Sequence, residues 1–310
     1  MKHIFLLAFT GLLLAACKKD TPIGPPIGIE PDYVLPQGDA PEEANNKIQQ
    51  LYDTYGSYFL YNFTQKDFEW IQSTSTGAGR IDTAVLGDPA YTSDMLAFLD
   101  DVWLKFLPED FKKEGGIPYR VFIMDSIRQY RPGYPPGMEY LNFDFKVIGK
   151  ALAFSGMNAG LRTMTPEQKL AKKKVIMVAM WNYYIGNKFL DIPQAFYTVS
   201  NYAAPKPATP VNAANPENLE AYRQKGFLPS SYNTVTGNPF EWLANDYSWV
   251  TNGKSNDLNS FVFHLLQRTD EEMAPYLDNY PLIKEKFDIL IDHFMDKYQL
   301  DVRAIANATY

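Results

Sequence analysis

Histidine and cysteine are nearly missing from these 310 residues, which hold three His and one Cys. A lone thiol, Cys17, cannot close an intramolecular disulfide, so the fold must rest on its packed core. It also leaves no thiolate set for a structural zinc, which needs about four nitrogen or sulfur donors. Beyond His3 the histidines are His264 and His293, each in its own apolar helical pattern, and both read as structural side chains. No run of ~18 apolar residues is present, so no finished transmembrane helix is expected. No basic run stands out, and the formal net charge of −7 argues against nucleic acid as a partner. A nucleophile elbow, a Walker loop and a dinucleotide fingerprint are all missing; Gly77-Ala-Gly79 reads as a plain loop. Two acid pairs, Asp100-Asp101 and Glu271-Glu272, are adjacent and so point apart on a helix. Glycosidase carboxylates must converge across a cleft, and these belong to solvated faces.

The N-terminus is informative. Met1-Lys2-His3 precedes an apolar run from Ile4 to Leu14, then Leu14-Ala15-Ala16-Cys17. A short positive segment followed by about ten apolar residues is the pattern of an export signal over residues 1–16. The small residues before Cys17 fit cleavage by a lipoprotein signal peptidase. Cys17 is therefore the expected lipidation site, carrying diacylglycerol and a further acyl chain such as palmitate. With ~0.8 kcal/mol per buried CH₂, three chains hold a protein on a membrane. Lys18-Lys19-Asp20 lacks an acid directly after the cysteine, which favours the outer membrane. As a short charged segment it also resembles the surface-export signals of bacterial lipoproteins, which implies the cell surface. Residues 17–41 carry Pro22, Pro25, Pro26, Pro31, Pro36 and Pro41 and read as an extended tether. At ~3.1 Å per residue in polyproline geometry it spans roughly 60 Å.

Residues 42–310 read as one domain of ordinary composition, 46% hydrophobic and 21% charged. The spacing predicts helices over 42–63 and 93–106, the second ending before Pro108. Pro118 to Met124 is a dense β-branched and aromatic run, read as a buried strand. Arg131-Pro-Gly-Tyr-Pro-Pro-Gly137 is turn chemistry. Strands over 141–148 and 150–154 complete a small central sheet of about three strands. Thr165-Pro166-Glu167-Gln168 is a capping box that opens a long helix reaching Phe189, apolar nearly all round and so central. Shorter helices follow near 217–225, 239–250 and 257–267. The last, over 281–298, buries Leu282, Phe287, Leu290, Ile291, Phe294 and Tyr298. The fold class is α+β, mostly helical.

The ordered set of motifs resembles one family. It has a Tyr-rich first helix, a strand before a long central helix, Pro193-Gln-Ala-Phe196 after it, and the segment Gly226-Phe227-Leu228-Pro229-Ser230-Ser231-Tyr232. Trp249-Val250-Thr251-Asn252 and Tyr298-Gln-Leu-Asp301-Val-Arg-Ala-Ile305 complete it. The chain thereby resembles the zinc-binding metallopeptidase lipoproteins encoded beside SusC/SusD-type uptake systems. The resemblance implies a gluzincin-like metallopeptidase fold over residues 42–310. It also implies His-Glu-x-x-His on the central helix, two imidazoles for zinc and a glutamate as base. Here that helix reads Met180-Trp181-Asn182-Tyr183-Tyr184-Ile185-Gly186-Asn187. The family's acidic segment on the next helix falls near Glu241-Trp242-Leu243-Ala244, with alanine in the acid's place.

With the zinc motif erased, neither a metal nor another cofactor is expected, and the chain reads as a pseudo-metallopeptidase. Trp181, Tyr183, Tyr184, Glu241 and Trp242 are the candidate residues of a vestigial binding cleft. The expected role is an outer-membrane lipoprotein, lipid-anchored, acting as an accessory or ligand-binding subunit of a SusC/SusD-like nutrient-uptake complex. Its expected partners are the transporter subunits, with a peptide or glycan ligand. Two alternatives stay open: an active metallopeptidase with a non-standard site, and a structural subunit of an outer-membrane assembly complex.

Overall fold

The computed structural model describes residues 31–69, 82–205, 207–208, 214–229 and 254–310. Cys17, the signal segment and most of the tether lie outside these residues. Leu35–Tyr310 cluster as one compact unit.

Helix α1 (Glu42–Tyr55) buries Ala44, Ile48 and Leu51 and carries two glutamates in its first turn. It stops at Gly56, whose φ of 68° lies in the left-handed region that glycine occupies without a Cβ penalty. The helical spacing predicts this helix to continue to Phe63. The chain instead turns into β1 (Tyr58–Leu60), all three residues of which are buried. A fully buried strand is apolar on both faces and looks like buried helix by composition.

After α2 (Gln65–Glu69) come β2 (Asp82–Val85) and α3 (Thr92–Val102). Next are β3 (Arg120–Ile123), β4 (Ser126–Tyr130), β5 (Tyr140–Phe143), β6 (Phe145–Ile148) and β7 (Ala151–Phe154). These make two sheets among the described residues, not the single small sheet expected. In the first, ordered β1-β3-β7-β6, β1, β3 and β7 run parallel and β6 is an antiparallel edge. β7 is buried along its whole length, as a strand covered on both faces must be. The second sheet, ordered β2-β4-β5, is antiparallel throughout. The run expected as one strand over 141–148 breaks at Asp144, and its two halves belong to different sheets.

The helical half follows: α4 (Gly160–Thr163), α5 (Pro166–Gly186), α6 (Phe196–Val199), α7 (Pro216–Arg223), α8 (Lys254–Gln267), α9 (Asp270–Asn279), α10 (Pro281–Tyr298) and α11 (Val302–Asn307). The helix expected over 239–250 lies outside the described residues. α9, missed from sequence, opens with its own capping box at Thr269 and Glu272. Glu272, half of one acid pair, is thus a capping residue. Asp101, from the other pair, holds Lys105 and Lys169.

Central α5 packs against α3, α8 and β6. Its Lys172-Lys173-Lys174 run divides by height on the helix. Lys172 reaches Asp144 at the surface, whereas Lys173 is buried and its ammonium donates to the carbonyl oxygen of Ile305. A cation on the last carbonyls of α11 offsets their partial negative charge and ties the C-terminal helix to the centre.

Two glycines differ in what a side chain would meet. At Gly56 an added Cβ meets nothing within 4 Å, so Gly56→Ala should cost only backbone strain, ~1 kcal/mol. Gly226, at φ 79°, has Leu282 Cβ at 2.9 Å and Ser200 Oγ at 2.8 Å from that position. Gly226→Ala should therefore lose ~2 kcal/mol or more in urea unfolding. Equal losses would contradict this packing.

Candidate functional site

The face of α5 that carries the candidate residues Trp181 and Tyr184 is built from sequence spacing. Met177, Met180, Trp181 and Tyr184 recur every three or four residues and share one side of the helix. Thr165 fixes where that side begins: its hydroxyl accepts from Gln168 N, and Gln168 Oε1 accepts from Thr165 N. Trp181 and Tyr184 are fully buried and Tyr183 nearly so. The Trp181 ring meets Phe294 edge-on at 5.6 Å and Tyr184 at 6.1 Å. Tyr184 Oη donates to the carbonyl of Gly116 at 2.7 Å and accepts from Trp103 Nε1 at 2.9 Å. Tyr183 Oη donates to Lys150 O at 3.3 Å. Burial pushes the Tyr183 phenol up to about 12 and Tyr184 higher still, so both stay neutral donors.

These three aromatic residues were expected to line a cleft. They fill the interior instead, because an amphipathic stripe of large rings on a central helix faces its neighbours α3 and α10. Glu241 and Trp242 lie outside the described residues.

The opening beside α5 is elsewhere. A surface groove of about 570 Å³ runs along its N-terminal half, with Gln168, Ala171, Lys172 and Val175 on one wall and Asn158 and Leu161 on the other. Val175 is 54% exposed there, an apolar side chain on the solvent side of a central helix. The Lys172–Asp144 ion pair sits at its rim.

The histidines are separately committed. His264, on α8, is buried, and its Nε2 lies 3.1 Å from the carbonyl oxygen of Pro229, so that nitrogen carries the proton. Burial lowers its pKa to about 3, and the ring is neutral. His293, on α10, places Nε2 3.0 Å from Asp191 Oδ1. Asp191 also accepts from Lys297 at 2.7 Å and Tyr298 at 2.6 Å, which hold its carboxyl well below the usual range. Among the described residues no three His, Cys, Asp or Glu side chains come together to hold a metal ion.

One polar cluster escaped the sequence reading. Lys286, on α10, is buried with its ammonium 2.6 Å from Asp257 Oδ2 of α8 and 2.8 Å from Gly226 O. Tyr202 Oη also donates to Asp257 Oδ2. Phe196, Phe227 and Phe261 place their rings 4.4–5.1 Å from the ammonium. Burial raises the Asp257 carboxyl and lowers the Lys286 ammonium, and the pair offsets both costs. The clue was present: Lys286 lies on the apolar stripe between Ile283 and Leu290, where an exposed lysine does not belong. The cluster joins α8 and α10 to Tyr202 and Gly226, with Asp257 and Lys286 fully buried and Tyr202 half-buried.

No protein-family model matches the chain, and no curated protein matches it. Among solved structures it is similar to the crystal structure of a candidate zinc-binding metallo-peptidase from Bacteroides caccae. The identity is 12%, over 86% of this chain and 91% of that one, with a TM-score of 0.44. The likeness is distant, and the placement of Trp181, Tyr183 and Tyr184 does not depend on it.

Tyr184→Phe strips the partner from Trp103 Nε1 and Gly116 O while leaving the ring in place. It should lower unfolding free energy by ~1–3 kcal/mol, and a neutral result would mean that water reaches this face. For His264 the folded pKa lies below the unfolded 6.5. Between pH 6.5 and about 3 the unfolded chain therefore binds a proton that the folded chain does not, and stability falls with acid by up to ~1.4 kcal/mol per unit. In His264→Gln this part of the decline should vanish, as read by urea midpoints at pH 7 and pH 5.

Proposed function

We propose that this chain is a lipid-anchored outer-membrane protein whose gluzincin-like metallopeptidase fold has lost its catalysis. It acts as an accessory subunit of a SusC/SusD-like uptake complex. The observation that carries the reading is the central helix. Where two imidazoles and a carboxylate would have to stand, α5 presents Met180, Trp181, Tyr183 and Tyr184, all turned into the core. A hydrolytic water needs donors that lower its pKa and a base beside it, and side chains of this kind supply neither. The aromatic interior favours a rigid scaffold, and the groove beside Val175 is the surface left on that helix for a ligand or partner.

The membrane part of the proposal rests on the apolar leader, Leu14-Ala15-Ala16-Cys17 and the proline-rich stretch after it. No helix among the described residues is long and apolar enough to cross a bilayer, so attachment is assigned to lipid on Cys17. A structural role in an outer-membrane assembly machine shares the anchor and the closed core, and partner identity separates the two.

The test is expression of the full chain in a bacterium that processes lipoproteins, comparing it with Cys17→Ser. The parent should take up labelled palmitate, fractionate with the outer membrane, bring down transporter subunits after mild solubilisation and contain well under one zinc per chain. Cys17→Ser should lose the label and the membrane fraction. Stoichiometric zinc with chelator-sensitive peptide hydrolysis would overturn the non-catalytic reading. A parent that stays soluble would overturn the anchor.

A further inference from the structure

The second sheet has two unlike faces. Its inner face carries Ile127, which is fully buried, and Asp82, which accepts from Gln129 Nε2 at 2.9 Å and pairs with Lys146 of β6. Side chains alternate along a strand, so residues one step away point to the opposite side. The register places Thr83 opposite Arg128, Arg128 opposite Asn142, and Tyr130 opposite Tyr140. Thr83, Arg128, Asn142, Tyr130 and Tyr140 are therefore neighbours on the outer face, and all are exposed. The two tyrosines are 48% and 51% exposed, with ring centroids 5.5 Å apart and planes tilted by 54°.

Arg128 gives this face its charge. Its Nε donates to Ser126 Oγ at 3.1 Å, and no carboxylate pairs with it among the described residues. A guanidinium without an acid, in a chain of net charge −7, is an unmatched cation. It stands between a hydroxyl and an amide in one row across three strands. The tyrosine pair lies two residues further along, ~7 Å away, a reach of about one sugar ring.

We propose that this outer face binds an acidic saccharide, a chain bearing uronate-type carboxylates. The tyrosine rings take the apolar faces of sugar residues. Arg128 takes a carboxylate in a two-bonded pair, and Thr83 and Asn142 take neighbouring hydroxyls. The chemistry disfavours other occupants. A protein interface has an apolar centre, and the aliphatic side chain of this face, Val85, is half-buried at its edge opposite Ser126. Nucleic acid needs several cations, and among the described residues this face has one. The inference uses a surface remote in sequence from α5 and stands whether or not the body is catalytic.

Affinity electrophoresis of the full chain through gels holding polygalacturonate, alginate or neutral dextran tests it. Retardation by at least one polyuronate, weakened by raised salt, is expected, with none by dextran. Arg128→Ala and Tyr140→Ala should each weaken retention by about tenfold or more, equivalent to ~1.4 kcal/mol, at unchanged melting temperature. Tyr140→Trp should retain binding, which separates loss of a stacking surface from loss of the hairpin. No retardation by either polyuronate, equal retardation of parent and variants, or concentration-dependent self-association that Tyr140→Ala abolishes would overturn the proposal.

Discussion

The hydroxyl of Tyr184 holds the centre of this protein together. It accepts from Trp103 of the α3 end and donates to Gly116, which precedes β3, so one phenol joins the central helix to two other segments. Around it Trp181 meets Phe294 of α10, and Trp103 stacks on Phe154 of β7 at 5.4 Å. The rings leave this part of the interior filled, with Trp103, Trp181, Phe154 and Phe294 all fully buried. Tyr184 uses both its donor and its acceptor at that depth, because a buried polar group left unpaired costs more than the bond contributes in water. The Trp181 indole N–H, by contrast, has no hydrogen-bond partner among the described residues, and its ring is held by edge-on contact with Phe294.

Much of the helical half was legible in the sequence. The capping box at Thr165 and the stripe of Leu290 and Phe294 mark α5 and α10, because both signals are local and repeat at the helical period. The strands were harder. β1 has three residues and follows a helix without a change in hydrophobicity, and only the left-handed Gly56 marks the boundary. β2 and β4 are half-polar, as strands with one solvated face are, and their pairing is set by partners distant in sequence.

The aromatic run on the central helix was legible in the sequence, but the direction of its side chains was not. Trp181, Tyr183 and Tyr184 stand out in the sequence as large rings on a long helix; whether they line a space or fill it depends on α3 and α10, which no local pattern reports. The helical default of core packing prevailed. Lys286 and Asp257 illustrate the converse. A charged residue on an apolar stripe is a tertiary signal, meaningful once its partner on α8 is known. His264 was read as a structural histidine, and its bond to Pro229 O explains why a neutral ring can be buried there.

The claim that the central helix face is closed core can be tested by hydrogen exchange at the indole N–H groups of Trp103 and Trp181 in native conditions. Both are fully buried. Exchange at both sites should need the global unfolding free energy and should shift in step when denaturant is added. Exchange at Trp181 through a low-energy local opening, unaffected by denaturant, would reveal a cleft where a filled interior is described and would contradict the account.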